Sequence, residues 1–208
     1  MLPLYVGGMK WMFLLAASAL AALSPSEALQ RLMEGNRRYT SDQLLHPNHS
    51  ADRREEISAK QRPFATILGC SDSRVAPEII FDQGLGDLFV VRDAGNVAGL
   101  LEIDSIDYSV RYLGSSFLLV LGHESCGAVD AVFKGMSADI ENVAQLISPA
   151  IQGTKSVEQA VKRNVQAVVA QLKKHKLLKQ LIAEGKLDCV GAYYHLGTGQ
   201  VELLNSNP

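Results

Sequence analysis

Residues 64–74 read FATILGCSDSR, and residues 116–127 read SFLLVLGHESCG. In each stretch a short, mostly apolar run ends on side chains that can ionise or bind metal. Runs of this length without polar alternation predict strands buried on both faces. Residues 88–91 (LFVV) form a third such run, closed by Arg92-Asp93. Helical patterns fill the gaps: a short start at 77–81, then 100–113 with Leu100, Ile103, Ile106, Tyr108, Val110 and Leu113, then 125–133 and 140–151. Strands alternating with helices predict an α/β fold, a central and mostly parallel β-sheet flanked by helices. Function in such sheets collects at the carboxyl ends of the strands. Cys70, Arg92-Asp93 and His123 all fall there.

Outside this alternation, Ser24-Pro25-Ser26-Glu27 reads as a capped helix start. The following turns place Leu29, Leu32 and Met33 on one face, with Gly35-Asn36 as the expected stop. Residues 40–62 are polar and read as a loop with a short helix, carrying His46 and His49. Residues 156–178 read as one long amphipathic helix with Val157, Val161, Val165, Val168, Val169 and Leu172 inward. Residues 187–194 and 200–204 read as a hairpin around Gly197-Thr198-Gly199. Upstream, Lys10 precedes an apolar run at 11–23, and Ala19-Leu20-Ala21 resembles a cleavage site. That is the layout of a secretory signal peptide over 1–21, with Met9 as an alternative start and a single catalytic domain over 22–208. It implies periplasmic placement. A membrane anchor or a packed helix are the other readings of the same run, which is short for a span.

The chain has 208 residues, 47% of them hydrophobic, with 20 Lys+Arg against 22 Asp+Glu, a formal net charge of −2. There is no basic excess to suggest nucleic acid. The three cysteines cannot all pair within one chain, which turns attention from disulfides to metal or reactive thiols. Cys70 at one strand end and His123-x-x-Cys126 at another offer two thiolates and an imidazole, a donor set suited to zinc that leaves one tetrahedral position open. Open zinc sites are catalytic rather than structural. Asp72 stands two residues before Arg74, whose guanidinium can clamp it and keep it ionised. An ionised Asp72 beside zinc-bound water can accept its hydrogen bond. Taken singly, either cysteine is better read as packing, and only the joint pattern points to metal; Cys189, in LDCVGAYYH, is read as a packed thiol.

CSDSRVAPE, GHESCGAV and FVVRDAGN resemble the signature blocks of the β-class carbonic anhydrases, and the similarity runs from about Leu29 to the final hairpin. The resemblance implies an α/β dimer or higher homo-oligomer that interconverts CO2 and bicarbonate at a Cys2His zinc, one Zn2+ per subunit. It makes Cys70, His123 and Cys126 the metal ligands and Asp72 and Arg74 the catalytic dyad. Gln61, Phe89, Tyr108 and Gly127 match substrate-pocket positions, some of which the family supplies from the second subunit. Where some members carry a tryptophan of a bicarbonate side pocket, this chain has Ile67, and its one tryptophan is Trp11. An open form is therefore expected, with Asp72 off the metal; Asp72 becomes a ligand only if a closed form exists. Arg92 is expected to make structural ion pairs. His46 and His49 are loop residues that could shuttle protons, while His175 reads as a solvated helix face and His195 as structural. The same motifs would suit carbonyl sulfide or carbon disulfide as substrate, and a zinc-binding sensor without activity is the non-enzymatic alternative.

Overall fold

The computed structural model describes residues 23–205; the expected signal segment, 1–21, lies outside them. Among these residues, five strands form one sheet in the order β2-β1-β3-β4-β5. They are β1 (Ala65–Cys70), β2 (Leu88–Asp93), β3 (Phe117–His123), β4 (Asp188–Tyr194) and β5 (Val201–Leu204). The first four run parallel, and β5 returns antiparallel to β4 as the expected hairpin. β1 and β3 are buried at every position, as their unalternating sequences require.

Among the described residues, eight α-helices cover the sheet: α1 (Pro25–Thr40), α2 (Ala51–Ile57), α3 (Pro77–Ile80), α4 (Leu100–Tyr108), α5 (Gly127–Phe133), α6 (Glu141–Ile151), α7 (Val157–Lys174) and α8 (Lys176–Ala183). A single π turn, Ser109–Leu113, extends α4 over the expected length. Ile67, Leu119 and Leu121 pack with Leu32 of α1 on one face, and Leu68, Leu118 and Val120 pack with Val165 and Leu172 of α7 on the other. A third cluster, with Val97, Val129, Ile147 and Val161, closes around Cys70 and Cys126.

Two helix limits differ from expectation. α1 starts as read, with a reciprocal Ser24–Glu27 capping box, but runs through Gly35-Asn36. Gly35 is there for close packing: a Cβ at that position would stand 1.7 Å from the Phe81 carbonyl oxygen. Asn36 is buried and donates to the Ile80 and Gly199 carbonyls while accepting from Val201 N–H, tying α1 to the hairpin. The expected helix over 156–178 breaks at His175, whose backbone is extended (φ −62°, ψ 134°). His175 is not a solvated helix face; its Nδ1 lies 3.4 Å from Asp107.

The strand order sets the site. From β1 the chain leaves through α3 to β2 on one side, and from β3 it leaves through α5–α8 to β4 on the other. The crevice at such a switch point opens at the carboxyl ends of β1 and β3. Cys70 and His123 are the last residues of those two strands.

Candidate metal centre

Beyond His123 the chain turns sharply. Ser125 adopts a left-handed backbone (φ 53°), uncommon for a residue with a Cβ, and the turn brings Cys126 back as the N-cap of α5. The ligating atoms of Cys70, His123 and Cys126 all lie within 4.8 Å of one another. The two Sγ atoms are 4.0 Å apart. His123 and Cys126 are fully buried and Cys70 nearly so.

His123 Nδ1 donates to the Glu124 carbonyl at 2.8 Å. That bond puts the proton on Nδ1 and leaves Nε2 as a lone-pair donor. Nε2 is buried with no hydrogen-bond partner. A buried, unpartnered acceptor facing two thiols is costly in the polypeptide alone, and a bound cation removes the cost. The thiols say the same. Hydrogen-bonded to Cys126, Cys70 ionises well below the ordinary thiol range, against the opposing effect of burial and with help from His123 and the Gly95 amide. That same bond and burial push the Cys126 thiol up. Of two thiols this close, only one ionises readily without a cation between them; a divalent metal lets both bind as thiolates. The residues present therefore fit a soft, tetrahedral divalent ion with three protein ligands.

Asp72 and Arg74 stand beside this triad. Arg74 Nε donates to Asp72 Oδ1 at 2.9 Å and its Nη2 to Oδ2 at 2.7 Å, and the Arg74 amide adds a third bond to Oδ1 at 2.9 Å. The Arg74 guanidinium holds the Asp72 carboxyl far below the usual carboxylate range, so it is ionised at all working pH. Asp72 Oδ2 lies 3.9 Å from His123 Nε2, turned toward the centre. Arg92 differs from expectation: it makes no ion pair among the described residues but donates to the Cys70 and Asp72 carbonyls at 2.9 and 2.7 Å, fixing the turn that carries both. Gly127, the exposed first residue of α5, follows Cys126, and its N–H is one of the first-turn amides without an intrahelical partner.

The other expected pocket residues gather elsewhere. Gln61 and Tyr108 line a separate depression of about 390 Å³ with Ile57, Lys60 and Leu113. Phe89 and Tyr108 have ring centroids 6.1 Å apart, and Tyr108 and Tyr112 5.6 Å. Phe89 is level with Thr66 near the start of β2, whereas Asp93 is level with Cys70; at ~3.3 Å per residue the two ends are roughly 13 Å apart. One chain thus holds the triad and the aromatic cluster at opposite ends of the sheet. His46 and His49, both exposed, sit on a loop bound to Asp82 and Asp87 just ahead of β2, again remote from the triad of the same chain. Cys189 is a packed thiol as read, pushed up to about 12 by burial. His195 is structural, 3.2 Å from Glu202 and edge-on to Tyr193. The Gly95 amide, which donates to Cys70 Sγ at 3.3 Å, was not among the expected site residues; its only sequence signal is its place in the FVVRDAGN block.

A family model described as carbonic anhydrase matches residues 65–201. A carbonic anhydrase of Mycolicibacterium smegmatis is 40% identical, covering 86% of this chain and 93% of the relative. Carbonic anhydrase 2 of Mycobacterium tuberculosis is 39% identical with the same coverage. Among solved structures, the β-carbonic anhydrase CcaA superposes with a TM-score of 0.67 at 26% identity, over 85% of this chain and 95% of that one. CafA of Aspergillus fumigatus gives 0.66 at 26% identity, over 88% and 91%. With the sheet, the switch-point crevice and the Cys70–His123–Cys126 triad in place, the chain belongs to the carbonic anhydrase family, on the fold of its β class.

Proposed function

We propose that the chain is a zinc-dependent carbonate dehydratase that interconverts CO2 and bicarbonate. The observation that carries this is the buried, unpartnered His123 Nε2 facing Cys70 and Cys126, with an ionised carboxylate 3.9 Å away. Cys70, His123 and Cys126 hold Zn2+, which when bound supplies the Lewis acidity that turns water into a nucleophile near neutral pH. Asp72 accepts a hydrogen bond from that water and fixes its lone pair toward the carbon of CO2. Arg74 does not touch the reacting atoms; it keeps Asp72 charged and aimed, so no reorganisation is needed during the reaction. The two-pronged bond from Arg74 to both Asp72 oxygens favours a carboxylate that would stay off the metal, the open form. The Gly127 amide offers a donor to the bicarbonate product.

The catalytic unit is a homodimer or a larger homo-oligomer. Gln61, Phe89 and Tyr108 cannot wall the triad of their own chain, but a second copy can bring them to it. Leu100 and Leu101 on α4 and Tyr112 on the π turn are 83, 76 and 71% exposed, an apolar strip beside Tyr108 suited to such a contact. Residues 1–21 act as an export signal and place the enzyme in the periplasm, a reading supported by the sequence layout alone; mass spectrometry of the exported product checks the new N-terminus. The catalytic reading is tested by CO2 hydration before and after treatment with a zinc chelator. Activity lost on chelation and restored by Zn2+ supports it, and activity indifferent to chelation contradicts it.

A further inference from the structure

Helix α7 crosses the sheet closely. A Cβ at Gly122 would lie 2.5 Å from Val165 and 2.9 Å from Val161, so the bare glycine lets the helix rest on β3 just before His123. The buried face of α7 is otherwise apolar: Ala160, Val161, Val165, Val168, Val169 and Leu172. Within it sits Asn164, with no solvent exposure. Its Nδ2 donates to the Gly95 carbonyl at 2.9 Å. Its Oδ1 has no partner. An amide placed among valines with half its hydrogen-bonding capacity unmet is a poor contributor to stability. What it does make is one bond to Gly95, and Gly95 N–H is the donor to Cys70 Sγ. Gly95 holds a left-handed backbone (φ 89°), and a Cβ there would meet Ile147 at 2.9 Å. Gly95 is thus pinned at its Cα by packing and at its carbonyl by Asn164.

We infer that Asn164 is a positioning residue for the metal centre: by holding the Gly95 carbonyl it fixes the backbone of Gly95, whose N–H on the other side of the Cα is aimed at Cys70 Sγ, and so tunes that ligand's hold on the metal. An N–H directed at a thiolate draws off charge and fixes the direction of the sulfur lone pair, and outer partners of this kind are worth roughly 10–100-fold in metal affinity. This rests on the zinc reading proposed above. It adds a residue on a helix that contributes no ligand, 69 positions in sequence from the peptide it holds.

The test uses the full zinc-loaded protein and Asn164→Leu, with the same branching but without the donor, with Asn164→Asp as a second variant that keeps the shape. The control is Val165→Ala, a cavity one residue away. Zinc transfer to a competing chelator and the sulfur-to-cobalt charge-transfer band of the Co2+-substituted protein are read beside CO2 hydration. Zinc affinity about tenfold weaker in the Asn164 variants, with a shifted charge-transfer band and neither change in Val165→Ala, supports the assignment. Wild-type affinity and spectrum in the Asn164 variants overturn it, as does an equal loss in Val165→Ala. If neither Asn164 variant folds, the Gly95 amide proton of wild-type protein loaded with 113Cd decides: scalar coupling to the metal through Cys70 supports the relay, and its absence overturns it. A wild-type chain that binds no zinc fails the functional reading itself, a result distinct from all of these.

Discussion

Arg74 grips Asp72 through both carboxylate oxygens, at 2.9 and 2.7 Å, two residues along the same turn. The turn after β1 that lets side chains so close in sequence meet is held by Arg92, bonded to the carbonyls of Cys70 and Asp72, and by the Val75 amide on the Asp72 carbonyl. One strand end therefore delivers a candidate metal ligand, an ionised acceptor and its clamp as a unit.

Removing the clamp should cost rate and spare metal. Arg74→Ala is expected to lower kcat about 10²-fold with zinc content unchanged, the size of effect seen when one preorganised electrostatic partner is lost. Arg74→Lys should not restore the rate, because an ammonium cannot reproduce the two-pronged geometry. Stopped-flow kinetics with metal analysis on the same samples checks both.

Cys70→Ala should lose metal. The remaining His123 and Cys126 leave a two-ligand site, and zinc per chain in the purified variant should fall to a small fraction of the wild-type value. Elemental analysis after dialysis reads this directly, and near-stoichiometric zinc in the variant would remove Cys70 from the ligand set.

The metal triad was legible in the sequence because it needs little geometry. Cys70 and His123 each close an apolar run, and parallel strands with helical crossovers bring such ends together. The Asp72–Arg74 pair was legible for the same reason, being local. What the sequence did not show are contacts that depend on how one element approaches another. Gly35-Asn36 looks like a helix stop until Phe81 and the hairpin are placed against it. His175 carries no glycine or proline to announce a break between α7 and α8. Asn164 reads as one polar residue in a valine stripe until Gly95 is found beneath it. Arg92 looked like an ion-pair partner, but the acceptors in reach are two carbonyls.

Asp82 is one of two buried carboxylates that hold the loop carrying His46. Burial raises the Asp82 pKa, but the Arg38 hydrogen bond with the Leu45 and His46 amides outweighs it, and the net shift is downward. A carboxyl with a lowered folded pKa contributes stability that is present above its unfolded value, about 4, and is lost as pH falls through the folded value. Asp82→Asn should cost about 2 kcal/mol at pH 7, as expected for hydrogen bonds to a charged group. Thermal unfolding between pH 7 and 3 should show this difference narrowing below about pH 4. A gap constant across that range would assign the loss to something other than the charge.

The apolar strip on α4 predicts assembly. Wild-type protein should sediment as a dimer or larger, and Leu101→Glu should shift it toward monomer. The variant should keep zinc, because the triad is complete within one chain. It should lose hydration rate on the order of 10²-fold, because the pocket wall then goes missing from around the bound substrate. A monomeric variant with full activity would place Gln61, Phe89 and Tyr108 outside the working pocket.

The most direct measurement of the central claim is stopped-flow CO2 hydration by wild type and Asp72→Ala, with zinc assayed in both. The structure predicts one zinc per chain in each, rapid hydration by wild type, and a rate on the order of 10²-fold lower in the variant. Zinc-loaded wild type with no hydration above buffer would contradict the assignment, and loss of zinc from Asp72→Ala would make Asp72 a ligand rather than the acceptor described here.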